Sequence, residues 1–167
     1  MLHATAFRVR YAAALTLDFA RIPFTSNRAL FDDLARSGKA MLALHLHEAL
    51  GYDASRVRFV AGHDRKLDPR SLTLLREVDD GHGALRIAIN AQSFFEGVSP
   101  QAWHLRIGGY QVCHKWLLDR ARAGLLVDQA VATRFAKVVA LAAETHRIVN
   151  EIDEHVAAAG GFPAAFI

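Results

Sequence analysis

The chain has 167 residues, 52 % of them hydrophobic and 22 % charged, which is enough for one domain with a buried core. Its net charge of +3 and sequence pI of about 9.4 permit nucleic acid as a partner without requiring it. A single cysteine, Cys113, excludes an internal disulfide and fits a reducing, cytoplasmic compartment, and no apolar run approaches the roughly 18–20 residues that span a bilayer.

In chain order, residues 4–15 read as a short helix. Residues 17–24 read as an extended entry segment, because Pro23 cannot sit inside a helix. Ser26 is the expected N-cap of a helix running to about residue 50, with Leu30, Leu34, Met41, Leu42, Leu44 and Leu46 on its apolar positions and Gly51 as its stop. Residues 56–60 alternate and predict a strand; residues 62–68 predict a polar loop. Residues 71–78 fit either a strand or a short helix, and residues 79–83 a turn. Residues 85–89 alternate again and give the clearest strand.

Ser99-Pro100 predicts a short helical turn, with serine capping and proline in the first helical position. A helix over residues 110–122 is expected after Gly108-Gly109. A long helix over residues 128–158 closes the chain. Its Phe135, Val138, Ala142, Thr145, Val149, Ile152 and Val156 alternate spacings of 3 and 4, which makes a packing seam. The seam is expected to face this domain's own core, with a dimer seam as the alternative.

The charge is uneven. Residues 101–125 hold Arg106, Lys115, Arg120 and Arg122 against Asp119 alone, whereas from residue 126 onward Arg134, Lys137 and Arg147 face five acids. An electropositive face is therefore expected from the middle of the chain. The first 17 residues carry Arg8 and Arg10 and no acid, a superficial likeness to a transit peptide.

An ordered series of short sequences runs through these elements. Leu2-His3, Phe7-Arg8 and Tyr11-Ala12 precede Leu17-Asp18-Phe19-Ala20-Arg21-Ile22-Pro23-Phe24. Leu30-Phe31, Gly38-Lys39 and Leu44-His45-Leu46 come next, then Ile89-Asn90, Gln92, Phe94, Phe95 and Glu96-Gly97-Val98. The most distinctive stretch joins Trp103-His104-Leu105-Arg106-Ile107-Gly108-Gly109-Tyr110-Gln111-Val112 to Lys115-Trp116-Leu117-Leu118-Asp119-Arg120, and Glu151-Ile152-Asp153 closes the series. The series resembles the C-terminal specificity domain of type ISP restriction-modification enzymes. These are single-chain DNA adenine methyltransferases fused to a nuclease and a translocase. Two departures stand out: Ala20 replaces the first proline of the family's Ile-Asp-Phe-Pro-Arg-Ile-Pro segment, and Ala91 occupies a position that is often lysine.

The resemblance implies a module for sequence-specific recognition of duplex DNA, working with a methyltransferase domain or subunit. It also marks what this sequence does not contain. There is no Pro-Pro pair for an Asn-Pro-Pro-Tyr-type catalytic motif and no Gly-rich S-adenosylmethionine motif after a strand. There is no phosphate-binding loop, since Asp33 stands where the first glycine before Gly38-Lys39 would be. The chain is expected not to be an enzyme on its own and to hold no cofactor, S-adenosylmethionine belonging to the methyltransferase part. Residues 1–16 look like the end of a longer helix, so the chain reads as a C-terminal piece. An apolar face exposed there would pack on the methyltransferase or favour self-association.

On a helix over residues 110–122, Gln111, Lys115, Leu118 and Arg122 share one face with His114 at its margin, while Val112, Cys113, Trp116 and Leu117 fall on the buried side. Glutamine can bond adenine in a bidentate manner, and lysine or arginine can bond guanine or phosphate. The bland alternative is a solvated face. Gly108 and Gly109 would either present helix-start N–H groups to a phosphate or simply permit a turn. Asn90, Gln92 and Phe95 leave a strand end, where they would read base edges and stack on a base, or else make local turn bonds and pack a core. Tyr110 belongs with the same block, and Arg58 and Arg106 are further candidates for phosphate contact.

The nine histidines show no ligand spacing: His45 and His47, two apart on a helix, point about 200° from each other. No nucleophile–base pair surrounds Cys113, and Asp32-Asp33 and Asp79-Asp80 fit a helix turn and a loop. The reading is therefore one α+β domain over residues 1–167, with a small, mostly antiparallel sheet, flanking helices and one long C-terminal helix. Its partner is duplex DNA and it has no membrane role. The rival is a non-catalytic interaction module or gene remnant that docks a partner, or itself, through the C-terminal helix.

Overall fold

The computed structural model describes residues 1–46, 53–73, 78–79 and 81–166. The expected end of the first long helix at residues 47–50, its stop at Gly51, His47, residues 74–77 and Asp80 lie outside the described residues. The chain divides into two compact units, residues 1–50 with 145–167, and residues 51–144.

The second unit is the α+β part. Its four-stranded sheet contains β1 (Arg58–Val60), β2 (Val78–Asp79), β3 (Leu85–Ala88) and β4 (Phe94–Val98), all antiparallel in the order β1-β4-β3-β2. A two-stranded hairpin, β5 (Arg106–Ile107) and β6 (Tyr110–Gln111), stands apart from it. The helices are α4 (Pro69–Thr73), α5 (Pro100–His104), α6 (Val112–Arg122) and the first half of α7 (Gln129–Ala158). Leu67, Leu72, Ile87, Ile89, Phe95, Val98, Trp103, Cys113, Leu117, Val127 and Phe135 form one buried core. At its centre Phe135 of α7 lies 4.4 Å from Phe95 and 5.5 Å from Trp116, ring centre to ring centre.

Strand β4 pairs with both β1 and β3, yet alternation does not reveal it. Leu85 faces Val98 and Ile87 faces Phe95, so Glu96 and Gly97 together oppose Arg86. This is a β-bulge, and it breaks the period of two on which strand recognition depends. Gly97 has φ +74°, and a Cβ there would stand 1.9 Å from the Arg56 carbonyl oxygen, so only glycine fits.

Three local expectations meet small corrections. The strand expected over residues 56–60 begins at Arg58, and the ambiguous segment from Ser71 lies partly in α4 and partly in β2. The helix expected from residue 110 begins at Val112, because Tyr110 and Gln111 pair with Ile107 and Arg106. Ser99 does cap α5, its Oγ accepting from the Ala102 N–H at 3.2 Å.

The other unit contains α1 (Thr5–Arg10), α2 (Ala12–Leu17), α3 (Arg28–His45) and the second half of α7. The single helix expected over residues 4–15 is two, because Tyr11 leaves helical geometry at φ −108°, ψ 20°. Asn27, not Ser26, caps α3: its Oδ1 accepts from the N–H groups of Ala29 and Leu30 at 3.0 and 3.2 Å. The Asp153 carboxylate of α7 accepts from the first N–H groups of α1, Thr5 and Ala6, where a negative charge is favourable. Leu30, Val156 and Ala165 form the small core here.

Of the seam positions of α7, Phe135 and Ala142 are buried in the second unit, where Val138 is half-buried against the core, and Thr145, Val149, Ile152 and Val156 are buried in the first. The seam therefore faces the chain's own interior. No helix among the described residues is long and apolar enough to cross a membrane.

Candidate nucleic-acid interface

The β5–β6 hairpin and the outer face of α6 enclose an open hollow of about 310 Å³. It is lined by Arg106, Gly109, Tyr110, Gln111, His114, Lys115, Leu118, Asp119 and Arg122. The hairpin arises because Gly108-Gly109 leaves two residues between strands; φ is +61° at Gly108 alone, the arrangement that a II′ turn uses. The glycines thus make a hairpin turn. The phosphate-binding helix start considered for them is corrected, because α6 begins three residues after Gly109.

The hairpin is pinned at its base. Gln111 donates through Nε2 to the Trp103 carbonyl at 2.7 Å, and Val112 N–H donates to the Leu105 carbonyl. Across the turn Arg106 donates through Nη2 to the Gly109 carbonyl at 2.9 Å. Tyr110 stands out from this frame, 64 % exposed, with the Lys115 ammonium 5.4 Å from its ring centre.

Helix α6 is anchored by Cys113, Leu117 and Ala121, which are buried, so Lys115, Asp119 and Arg122 face outward. Burial pushes the Cys113 thiol up to about 12, the reverse of what a nucleophile needs. His114 donates through Nε2 to the Leu72 carbonyl at 2.9 Å and is half-buried at the edge of the hollow. Lys115 pairs with Asp119 at 2.7 Å. That bond, helped by Arg122 and Arg120, holds the Asp119 carboxyl below the usual carboxylate range. Arg120 is taken up by its own helix, its guanidinium lying 3.4 Å above the Trp116 ring and donating to the Trp116 carbonyl. The hollow therefore presents three cations and one carboxylate.

The remaining sequence candidates lie elsewhere. Asn90 is spent on structure: Nδ2 donates to the carbonyls of Asp64 and Lys66, and Oδ1 accepts from the N–H groups of Gln92 and Ser93. Gln92 accepts from Asp64 N–H at 3.3 Å. Phe95 is fully buried in the core, so no ring is available there for stacking on a base. These residues make the local-turn and core arrangement, and none lines the hollow. Arg58 is exposed but pairs with Glu96 across β1 and β4.

Sequence reasoning missed two residues. Asp119 lines the hollow beside Leu118, which the helical wheel already placed on the outer face, and its spacing of four from Lys115 was readable there too. Ser93 is buried and ties two loops, donating to the Asp64 carbonyl at 2.6 Å and accepting from Gly62 N–H at 2.8 Å. Among the described residues no three metal-ligating side chains cluster.

The model of the type ISP C-terminal specificity domain matches residues 1–151. The chain belongs to that family. Two solved structures share the specificity domain's fold. One is a nuclease-deletion mutant of the type ISP restriction-modification enzyme LlaGI in complex with a DNA substrate mimic. It has a TM-score of 0.53 and 19 % identity, over 92 % of this chain and 13 % of that one. The other is the ATP-dependent type ISP restriction-modification enzyme LlaBIII bound to DNA, with a TM-score of 0.53 and 14 % identity, over 91 % of this chain and 10 % of that one. The chain thus spans a small part of the length of either enzyme. No curated protein sequence matches it.

Proposed function

We propose that this specificity domain recognises duplex DNA sequence for a restriction-modification DNA methyltransferase and performs no catalysis itself. The observation that carries the reading is the hollow, in which the hairpin and α6 gather Arg106, Tyr110, Gln111, His114, Lys115 and Arg122. Arg106, Lys115 and Arg122 would neutralise phosphates and set the register. Gln111 is oriented by Trp103 and keeps its Oε1 and a second N–H for a base edge, a pairing worth about 1–3 kcal/mol of discrimination. Tyr110 offers an exposed ring to the groove. Extrusion of the adenine and methyl transfer would belong to the methyltransferase polypeptide.

The test is selection of a random duplex DNA pool on the purified chain near physiological salt. An enriched, asymmetric motif that is lost in Gln111→Ala supports the reading. Retention that is uniform across sequences and flat with salt overturns it.

A second observation favours an additional docking role. Leu17, Phe19 and Phe24 are 87, 94 and 78 % exposed, beside an apolar groove lined by Phe7, Tyr11 and Leu15. Apolar residues this open and this close together mark a contact surface. We propose that the segment packs on the methyltransferase. Phe19→Ser is expected to weaken co-purification with that polypeptide while leaving DNA selection unchanged.

A further inference from the structure

Among the described residues the first strand of the sheet has an open side. β1 is an outer strand that pairs with β4 alone, and among the described residues nothing pairs with its other edge. A groove of about 580 Å³ runs there, separate from the hollow at α6. One wall is Val57, Arg58, Phe59 and Ala61; the other is the α7 face carrying Thr133 and Lys137. Successive residues of a strand point to opposite sides of the sheet. A groove that touches both Arg58 and Phe59, neighbours in this strand, and Val57 just before them therefore meets the strand along its edge, where the N–H and C=O groups that β4 does not use lie.

The opposite wall leaves room for a chain. Ala132 and Ala136, one helical turn apart and both buried, keep the floor low. Edge strands are ordinarily covered or blunted, and among the described residues this one borders an open groove instead. The charges select among occupants. Arg65 and Lys137 flank the groove, and neither has an ion-pair partner among the described residues. The acid of the lining, Asp128, is occupied in capping α7, its Oδ1 accepting from Val131 N–H at 2.7 Å. A strand edge offers a main-chain ladder, which a peptide can complete and a nucleic acid cannot. We infer that the groove between β1 and α7 takes an extended peptide by strand addition, with acidic side chains on the peptide meeting Arg65 and Lys137.

The test is selection of a random linear peptide library displayed on phage against the full chain, with three variants alongside. Thr133→Trp fills the groove from its exposed rim, Lys137→Glu reverses its charge, and Lys115→Glu marks the separate hollow. Enriched peptides should combine β-branched residues with Asp or Glu. A synthetic peptide of the consensus should lose about tenfold or more in affinity in Thr133→Trp and in Lys137→Glu, and none in Lys115→Glu. Backbone N-methylation of that peptide should abolish binding, since it removes the ladder donors. No enrichment overturns the inference, as does enrichment indifferent to Thr133→Trp. Retention of duplex DNA that Lys137→Glu abolishes, without any selected peptide, would assign the groove to nucleic acid and also overturn it.

Discussion

Asp119 offers the sharpest check on DNA contact at α6. Its carboxylate holds the Lys115 ammonium at 2.7 Å, so a phosphate approaching Lys115 must compete with it. Asp119→Asn removes that competitor and leaves Arg106, Lys115 and Arg122 uncompensated in the hollow. Each additional phosphate neutralised steepens the dependence of log affinity on log salt by about 0.9. Over a fourfold change in salt, one more phosphate contact therefore makes the loss of affinity about three- to fourfold larger. The variant should bind duplex DNA about three- to tenfold more tightly at low salt, with the gain shrinking as salt rises. The exposed i,i+4 pair contributes little to stability, so thermal unfolding should move only slightly. Fluorescence anisotropy with a labelled duplex at stepped salt concentrations measures both quantities. Unchanged or weaker binding in Asp119→Asn, with the same salt slope, would refute a phosphate role for Lys115.

Three other outcomes follow from the same geometry. Gly97→Ala should destabilise the fold by about 3 kcal/mol or more in urea unfolding, since the left-handed backbone costs about 1–2 kcal/mol and the Arg56 carbonyl must also be displaced. Asn90→Ala should cost about 1–3 kcal/mol in the same assay, because four backbone partners lose their bonds, and it should leave the selected DNA motif unaltered. Cys113, buried with its thiol pushed up to about 12, should resist iodoacetamide at neutral pH in the folded chain and react once urea unfolds it; rapid alkylation of the native chain would show that α6 is not packed as described.

Local rules, those that depend on near neighbours in the chain, were legible in the sequence by itself. Strand β3 (Leu85–Ala88) appeared, one residue longer, from its alternation, α5 from Ser99-Pro100, and the long α7 and its seam from the spacing of apolar residues. The family was legible too, because its motifs are short ordered runs. So was the outward face of α6, since helical geometry alone sets Lys115 and Arg122 apart from Cys113 and Leu117.

What only the tertiary structure decided were the non-local contacts. Strand β4 owes its existence to two neighbours, and its bulge erases the alternation that would have marked it. The sequence allowed Asn90, Gln92 and Phe95 to be read as a recognition trio, because an amide's bonding capacity looks the same whether DNA or a loop will use it. The fold brings Asp64 and Lys66 to Asn90 and encloses Phe95 against Phe135. Conversely, Arg106 and Arg122, sixteen positions apart in sequence, line one hollow because the Gly108-Gly109 turn folds the hairpin back beside α6. Side-chain chemistry is written locally, but whether a polar group is spent inside or left for a partner depends on what the rest of the chain brings against it.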